Sequence, residues 1–401
     1  MSNKKRNEEL KLSRRTFIKA ATGSVAGALI LGAAAQNTGA ADQNVRSFEN
    51  FGISQGGEQL KTHVDSLDRT ISLPKNIARV IPSGRFAQIL LCSLCPEKLA
   101  AVSDFDQNES YAYARGGMGR LAELPKTGEM YSESKRDINT AKIVDVGADI
   151  VIDVGNYKED LQFSLDYLQS NTDTSTLFIN VAFAELPQAY RVLGEILDCA
   201  GRAELLAAYI EELYADIDER RKNVKTASVV LYAGNNLGLR GNSPIQNAAI
   251  AYLGGIPAES DETIDVNELT NRNIDCVVFN DHAVFHSILS GEGEAHQIWS
   301  PVSAIDRGDY AVAPALYHSW IGSPSLFPQT IGLIWLGNLL WPSVYDYDML
   351  QKTKEFYNLF FNCALTDNEA LRLLGYISAD IGDTPTEWDI IFKDAALQRA
   401  E

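Results

Sequence analysis

An arginine follows a short Ser-Gly pair early in the chain, in the run Pro82-Ser83-Gly84-Arg85-Phe86. The apolar residues after it predict a helix, so Arg85 would stand in the first turn, beside backbone N–H groups that have no partner within the helix. A fixed guanidinium next to such donors suits a carboxylate, a phosphate or another oxyanion. We therefore predict that Ser83 and Arg85 bind a ligand; the alternative is that Arg85 pairs with a surface acid.

Polar and aromatic residues suited to ligand contact recur in other loops. A tyrosine ring buries apolar ligand surface, while its hydroxyl donates a hydrogen bond or ligates Fe(III). Half-buried loop tyrosines are also common outside binding sites, so ordinary packing is the alternative. The further ligand contacts that we predict are Tyr131, Asn156, Tyr157, Arg240, Tyr317, His318 and Trp320.

Two of the histidines in the second half of the chain have a spacing that suits metal binding. His282 and His286 are four residues apart, which puts both on one face of a helix, as a pair of metal ligands requires. A solvated loop is the alternative. No third ligand follows at a metal-site spacing, which argues against a bare-metal site. We predict His282 as a ligand contact, and His282 and His286 as the candidates for direct metal binding.

The five cysteines, which include Cys92 and Cys95, are an odd set without the spacing of a metal site. Cys92 and Cys95 form a Cys-x-x-Cys about two turns into the predicted helix, whereas a thiolate is stabilised at a helix N-terminus. We therefore expect buried structural cysteines.

The segments between these residues alternate between strand and helix patterns. Such alternation is typical of βαβ units around a mainly parallel sheet, where ligands bind beyond the carboxyl ends of the strands. In the first half, strands are predicted over 69–73, 78–81, 99–103, 150–154 and 176–181, and helices over 86–95, 138–146 and 161–169.

One long amphipathic helix, predicted over 203–224 and about 33 Å long, separates two halves with this plan. The second half has predicted strands over 227–233 and 275–280 and helices over 243–253 and 266–271. The predicted fold class is therefore α/β, with two Rossmann-like lobes bridged by one long α-helix and a ligand cleft between the lobes.

The N-terminal segment has the layout of an export signal. Ser13-Arg14-Arg15-Thr16-Phe17 precedes a Gly/Ala-rich apolar run that is too short and too weakly apolar to span a bilayer. The predicted divisions are a twin-arginine signal peptide over 1–41, a flexible leader over 42–63, an N-terminal lobe over 64–202, the bridging helix over 203–224 and a C-terminal lobe over 225–401.

The net charge argues against a nucleic-acid partner. The chain carries −18, and residues 1–41 contribute +5 from seven Lys or Arg and two Asp or Glu, so the remainder carries −23. Binding to phosphate backbones requires the opposite sign.

Several segments together resemble the class III periplasmic binding proteins, which deliver ferric siderophores, haem, cobalamin, transition metals or molybdate and tungstate to ABC importers. Leu94-Cys95-Pro96-Glu97-Lys98-Leu99 is similar to the family's Gly-Pro-Glu-Lys-Leu sequence, with Cys95 in place of Gly. Gly147-Ala148-Asp149-Ile150-Val151-Ile152 stands where the family has Lys-Pro-Asp-Leu-Val-Ile. The resemblance also includes residues 71–74, 78–84, 243–255, 266–279 and 327–361.

This resemblance implies a rigid bridging helix and docking to a membrane permease through an acidic side chain on each lobe. The chain has Ala141 where the family usually has the first-lobe Glu, so Glu97 and Glu268 become the candidates for docking. The implied protein is exported by the twin-arginine route to the periplasm or the outer face of the membrane. It would act as a monomer without a resident cofactor, its ligand being a metal chelate or, alternatively, molybdate, tungstate or a free metal.

Two other function classes compete with a binding protein. An exported metal-dependent lyase or chelatase would use the histidine pair, and a structural or adhesive protein would have no cleft. The chain has no His-Glu-x-x-His, no Gly-x-Ser-x-Gly and no Gly-rich dinucleotide loop, so the sequence favours a binding protein that is not an enzyme.

Overall fold

A computed structural model describes residues 54–56, 60–104, 116–130, 138–181, 183–234, 237–239, 241, 244–258, 264–270, 272–315, 318–322 and 327–374. The segment 1–41, predicted to be a twin-arginine signal, lies outside these residues. Within them, no helix is both long enough and apolar enough to cross a membrane.

Three antiparallel strands form a small sheet at the start of the described chain. They are β1 (Ser54–Gly56), β2 (Leu60–Val64) and β3 (Thr70–Pro74), in the order β1-β2-β3. The leader predicted over 42–63 therefore contains strand residues, which pairing with β3 supplies with hydrogen-bond partners. The sequence did not predict strands in this leader, because Gly and polar residues are typical of loops.

The first lobe has a parallel sheet in the order β4-β5-β6. Its strands are β4 (Val80–Pro82), β5 (Ile150–Gly155) and β6 (Ser175–Asn180), and its helices are α1 (Arg85–Leu94), α2 (Thr140–Val146) and α3 (Leu161–Thr172). The prediction of a strand over 99–103 is wrong. Only isolated parallel bridges form there, between Val80 and Leu99 and between Val102 and Lys126.

Two antiparallel helices, α4 (Leu186–Ile196) and α5 (Ala200–Arg221), follow the first lobe. The predicted bridging helix is α5, shifted by three residues. A Cβ atom at Gly194 would lie 2.3 Å from the Cβ of Ala203, so only glycine permits this approach of α4 to α5. The apolar stripe of α5, which includes Leu206, Ile210 and Ile217, is buried.

The second lobe has a parallel sheet in the order β10-β9-β7-β8. Its strands are β7 (Val229–Ala233), β8 (Ile256–Pro257), β9 (Cys276–Phe279) and β10 (Tyr310–Val312). The helices between them are α6 (Pro244–Tyr252), α7 (Val266–Leu269), α8 (His282–Ser290), α9 (Gly293–Trp299) and α10 (Ser303–Arg307).

Three helices end the described chain: α11 (Pro328–Leu340), α12 (Met349–Phe361) and α13 (Asp367–Leu373). Helix α12 returns to the first lobe, where the ring of Phe360 lies 6.4 Å from that of Tyr190 and 5.7 Å from that of Tyr209. The guanidinium of Arg202 on α5 donates to the carbonyls of both Ser93 and Leu359. The lobes are therefore joined by more than a single helix.

Three apolar cores result from this arrangement. One core runs through both lobes, because it contains α1, α5, α11 and α12 together with the inner faces of both sheets. Separate cores cover the outer face of the first sheet, beneath α2 and α3, and the outer face of the second, beneath α8 to α10. The α/β fold with two lobes is thus confirmed, and one core contains residues of both sheets.

Candidate functional site

The candidate site in the first lobe begins between β4 and β5. After β4 the chain first forms the bridge at Leu99, on one side of β4, and later forms β5 on the other side. The connections that follow neighbouring strands therefore run in opposite directions at this point. A crevice opens beyond the carboxyl ends of strands at such a point. Ser83 directly follows β4, and its buried hydroxyl donates a hydrogen bond to the carboxylate of Asp153 on β5. Burial raises the pKa of Asp153, and the bond from Ser83 opposes that shift.

Arg85 is the first residue of α1, as predicted, and it pairs with an acid. Its Nε lies 3.3 Å from Oε1 of Glu129, and both side chains are only partly exposed. The loop that carries Glu129 is fixed to the strand end, because the N–H of Met130 donates to the carbonyl of Ser83 at 2.8 Å. Partial burial raises the pKa of Glu129, while the charge of Arg85 acts in the opposite direction. Arg85 therefore has a carboxylate partner at the site itself.

Asn156 and Tyr157 follow the last residue of β5 and are exposed to solvent. The ring of Tyr157 is 61% exposed, so it is available to cover an apolar part of a ligand. Both residues lie at the same edge of the sheet as Ser83 and Asp153.

The second lobe has a matching crevice between β7 and β9, where the chain passes to β8 on one side and then to β9 on the other. Asn280 follows β9 directly, and Ser319 donates to its amide oxygen at 2.9 Å. The N–H of Gly322 donates to the Ser319 hydroxyl at 2.8 Å. Tyr232, near the end of β7, is buried, and burial raises its pKa. Asn280, Ser319 and Gly322 form a connected polar cluster at the carboxyl edge of the second sheet.

His318 stands next to this cluster and is buried. Burial lowers its pKa from 6.5 to about 3, and the positive charge of Arg85 lowers it further in the same direction. Arg85 belongs to the first lobe and His318 to the second, so the carboxyl edges of the two sheets face each other. At neutral pH His318 is therefore an uncharged imidazole opposite a guanidinium.

The binding role predicted for Trp320 is corrected by its position. Trp320 is fully buried in the shared core, and its indole N–H donates to the hydroxyl of Tyr357 at 3.3 Å. The aromatic residues of α11 and α12 also lie in this core: Trp335, Phe356, Tyr357, Phe360 and Phe361. Trp341, which follows α11, is only partly buried.

The predicted histidine pair lies on one helix. His282 and His286 belong to α8, which begins after Asp281; the Asp281 carboxylate accepts from the N–H of Ala283 at 2.8 Å. His286 is exposed and His282 is partly buried. In the part of the chain that the structure describes, no three His, Cys, Asp or Glu residues group as a metal site requires.

Four predicted positions cannot be placed by their side chains. Tyr131, Arg240 and Tyr317 lie outside the described residues, as does the side chain of Glu268 on α7. Glu97 lies beside an open groove of about 630 Å³ that Arg79 and Lys142 also line, at the amino edge of the first sheet. That edge is remote from Ser83 and Arg85. The docking roles of Glu97 and Glu268 stay predictions.

Several residues of the site were not predicted from the sequence. Asp153 had a usable signal, since a carboxylate inside the apolar run of a buried strand requires a partner. The hydroxyl of Tyr232, inside the apolar run of β7, likewise requires a partner. Glu129, Asn280 and Ser319 lie in loops whose positions depend on the tertiary fold, and their local sequence gave no sign of a role.

The arrangement can hold a small anionic or hydrogen-bonding ligand between the lobes. The first lobe offers a cation, Arg85, and a carboxylate, Glu129, that a ligand anion can replace. The second lobe offers hydroxyl, amide and imidazole groups, which donate and accept hydrogen bonds without net charge.

No family model and no curated protein sequence matches this chain, whereas solved structures do. An ABC transporter solute-binding protein from Sulfurospirillum deleyianum is similar with a TM-score of 0.67 at 17% identity, over 78% of this chain and 98% of that one. The chain has the fold of ABC transporter solute-binding proteins.

Two further structures share this solute-binding fold. A periplasmic solute-binding protein from Veillonella parvula gives a TM-score of 0.63 at 19% identity, over 79% of this chain and 97% of that one. The molybdate periplasmic binding protein of Haemophilus influenzae, solved with molybdate bound, gives 0.61 at 14% identity, over 76% and 99%. The fold that the sequence resemblance implied is therefore confirmed.

Proposed function

We propose that this chain is the extracytoplasmic substrate-binding component of an ABC importer, and that it is not an enzyme. It captures a small metal-containing ligand between its lobes and delivers it to a membrane permease. The observation that carries the proposal is that Arg85 of the first lobe lies near enough to His318 of the second for its charge to lower the pKa of that histidine. Sites of this kind, built from both lobes of a solute-binding fold, hold ligands by charge and hydrogen bonds.

A metal chelate of the ferric siderophore, haem or cobalamin type is the ligand class that we propose. Carboxylate or phenolate oxygens of such a chelate would replace Glu129 at Arg85, and the exposed ring of Tyr157 would cover part of its apolar surface. The metal would arrive inside the ligand.

Molybdate or tungstate is the second candidate. The molybdate-bound structure from Haemophilus influenzae has the same fold, and an oxyanion would suit Arg85 together with the neutral donors of the second lobe. A tetrahedral oxyanion would contact fewer residues than a chelate would. It would therefore depend on Arg85 and Ser319 and leave Tyr157 unused.

A thermal-shift screen of the chain from Asp42 onward tests this function. The panel consists of haem, cobalamin, a ferric siderophore, Ni²⁺, Zn²⁺, molybdate and tungstate. A true ligand at about 100 times its Kd adds about 2.7 kcal/mol to the free energy of unfolding. Stabilisation by one compound that Arg85→Gln abolishes supports the proposal. A panel without any stabilising compound, or stabilisation that Arg85→Gln leaves unchanged, contradicts it.

A further inference from the structure

The loop that carries Glu129 is attached to its neighbours by main-chain hydrogen bonds on both sides of that residue. After it, the N–H of Met130 donates to the carbonyl of Ser83 at 2.8 Å. Before it, the N–H of Gly128 donates to the carbonyl of Ser103 at 3.0 Å. Moving Glu129 out of the candidate site would break these bonds.

Within the site, Glu129 forms an ion pair with Arg85 and lies close to the start of α1. Its Oε1 is 3.3 Å from Nε of Arg85. A Cβ atom at Gly84, directly before Arg85, would lie 3.9 Å from the Cβ of Glu129, so the two segments are also close. An anion that takes Arg85 therefore leaves the Glu129 carboxyl group next to the new negative charge.

Among the residues that the structure describes, the other charges near Glu129 do not substitute for Arg85. Lys126, in the same loop, already pairs with Asp104, with 2.8 Å between Nζ and Oδ1. Partial burial raises the pKa of Glu129, and the negative charge of Asp104 adds to that shift. The positive charges of Arg85 and Lys158 act in the opposite direction, but Lys158 is exposed, so solvent and salt screen its charge.

Two further titratable groups lie near the ion pair. Burial, together with the charge of Arg85, lowers the pKa of His318 to about 3, so this imidazole is uncharged at neutral pH. Asp153 on β5 is buried and accepts a hydrogen bond from the hydroxyl of Ser83. Neither group supplies a positive charge that could stabilise an ionised Glu129.

Replacement of Glu129 by a ligand anion would thus place two negative charges beside one guanidinium. The Glu129 side chain is only 25% exposed, so water stabilises its charge less than it would at an open surface. Burial and a nearby like charge both favour the protonated form of a carboxyl group. A proton on Glu129 removes the repulsion between the displaced group and the ligand.

We propose that capture of an anionic ligand is linked to protonation of Glu129. A ligand oxyanion replaces the Glu129 carboxylate at Arg85, and the displaced carboxylate takes up one proton from solvent. When the ligand leaves, Glu129 returns to Arg85 and releases that proton. This inference rests on the proposed function, because it requires an anion at Arg85.

This linkage sets the direction in which affinity changes with pH. At a pH where Glu129 is already protonated in the ligand-free protein, the ligand has no carboxylate to displace. At higher pH each bound anion brings in a proton, so the affinity falls by up to about tenfold per pH unit. Binding should therefore be tighter in weak acid than in neutral solution.

Isothermal titration calorimetry measures the proton directly. Molybdate and ferric citrate are titrated as separate probes into the full chain, in two buffers that differ in their enthalpy of ionisation. The difference in heat gives the number of protons taken up per bound anion. We expect about one proton for the wild type and none for Glu129→Gln.

A matched variant separates Glu129 from other carboxyl groups. Glu123 is an exposed glutamate earlier in the same segment, and Glu123→Gln should keep the proton uptake of the wild type. Three results would each overturn the inference: binding of a probe without proton uptake, uptake that Glu129→Gln leaves unchanged, and binding that Glu129→Gln abolishes. The last result would show that Glu129 itself holds the ligand.

A titration without ligand separates this inference from the proposed function. Arg85→Gln removes the cation that a bound anion would occupy, so the Glu129 carboxyl group should titrate at higher pH than in the wild type. NMR of the chain labelled with ¹³C-glutamate, assigned with Glu129→Gln, measures both midpoints. An unchanged midpoint contradicts the inference even when a probe binds. If neither the probes nor the thermal-shift panel binds, the proposed function fails, and this inference fails with it.

Discussion

The guanidinium of Arg85 on the first lobe lies near enough to the imidazole of His318 on the second for its charge to lower the pKa of that histidine. The relationship joins two residues that are more than two hundred positions apart, at the carboxyl edges of two different sheets. The shared core contains residues of both sheets, so it connects the two elements that carry these groups.

Glu129 and Arg85 should have opposite effects on an anionic ligand. Arg85→Gln removes the cation and should weaken binding by about 10- to 100-fold, as expected for a charged hydrogen bond. Glu129→Gln removes the carboxylate that competes for Arg85 and should strengthen binding. Isothermal titration with the compound selected by the thermal-shift panel measures both. If Glu129→Gln weakens binding as much as Arg85→Gln does, Glu129 contacts the ligand and is not displaced by it.

The titration of His318 should make stability depend on pH. Its pKa is 6.5 when unfolded and about 3 when folded, so below pH 6.5 the unfolded state binds the proton and the folded state does not. The free energy of unfolding should therefore fall as the pH decreases from 6.5 toward 3, by up to about 1.4 kcal/mol per pH unit from this group. Urea unfolding at several pH values measures the slope.

His318→Gln is the control for that slope, because it keeps a polar side chain without a titrating imidazole. This variant should lose stability less steeply than the wild type between pH 6.5 and pH 3. Equal slopes for the two proteins would mean that His318 titrates normally in the folded state. His63, which is also buried with a lowered pKa, contributes to both proteins alike.

Adjacent leucines on α5 provide a matched test of the helix packing. Leu206 is completely buried, so Leu206→Ala should lower the free energy of unfolding by about 2 to 5 kcal/mol. Leu205 is 61% exposed, and Leu205→Ala should change it by no more than about 0.5 kcal/mol. Denaturant unfolding of both variants measures the difference. Similar values for the two would show that α5 presents a different face to the core.

Gly322→Ala should disturb the polar cluster of the second lobe. An added Cβ would lie 2.6 Å from Oγ of Ser319 and 2.8 Å from Oδ1 of Asn280, so this bonded pair must move. We expect weaker ligand binding in the titration described above. Gly201→Ala is the control, because a Cβ at Gly201 in α5 meets nothing within 4 Å. An unchanged affinity for Gly322→Ala would remove Ser319 and Asn280 from the site.

Much of the fold was predictable because its patterns are local. The apolar stripe of α5 and the runs of β5, β7 and β9 depend on periodicity within one segment, and each was found within a few residues of its observed bounds. The strand predicted over 99–103 was wrong because an apolar run does not reveal whether a neighbouring strand continues beside it. Strand β2 was missed because its polar sequence has no strand pattern of its own. It forms a strand through hydrogen bonds to β3.

The site was less predictable, because its contacts are made across the chain. Ser83 and Arg85 were found through their place between a strand and a helix. Their partners Asp153 and Glu129 required knowledge of which loops meet. Trp320 shows the opposite error: its neighbours suggested a loop that faces the cleft, while its ring lies in the core against Tyr357.

The return of α12 to the first lobe has a consequence for biosynthesis. The core around Tyr190 and Tyr209 includes Phe360, which the ribosome adds about 150 residues after Tyr209 and about 170 after Tyr190. The core of the first lobe therefore stays incomplete until α12 has been synthesised, although multidomain proteins commonly fold their N-terminal domain first. The N-terminal part of the molecule thus depends for its packing on one of the last helices to be made.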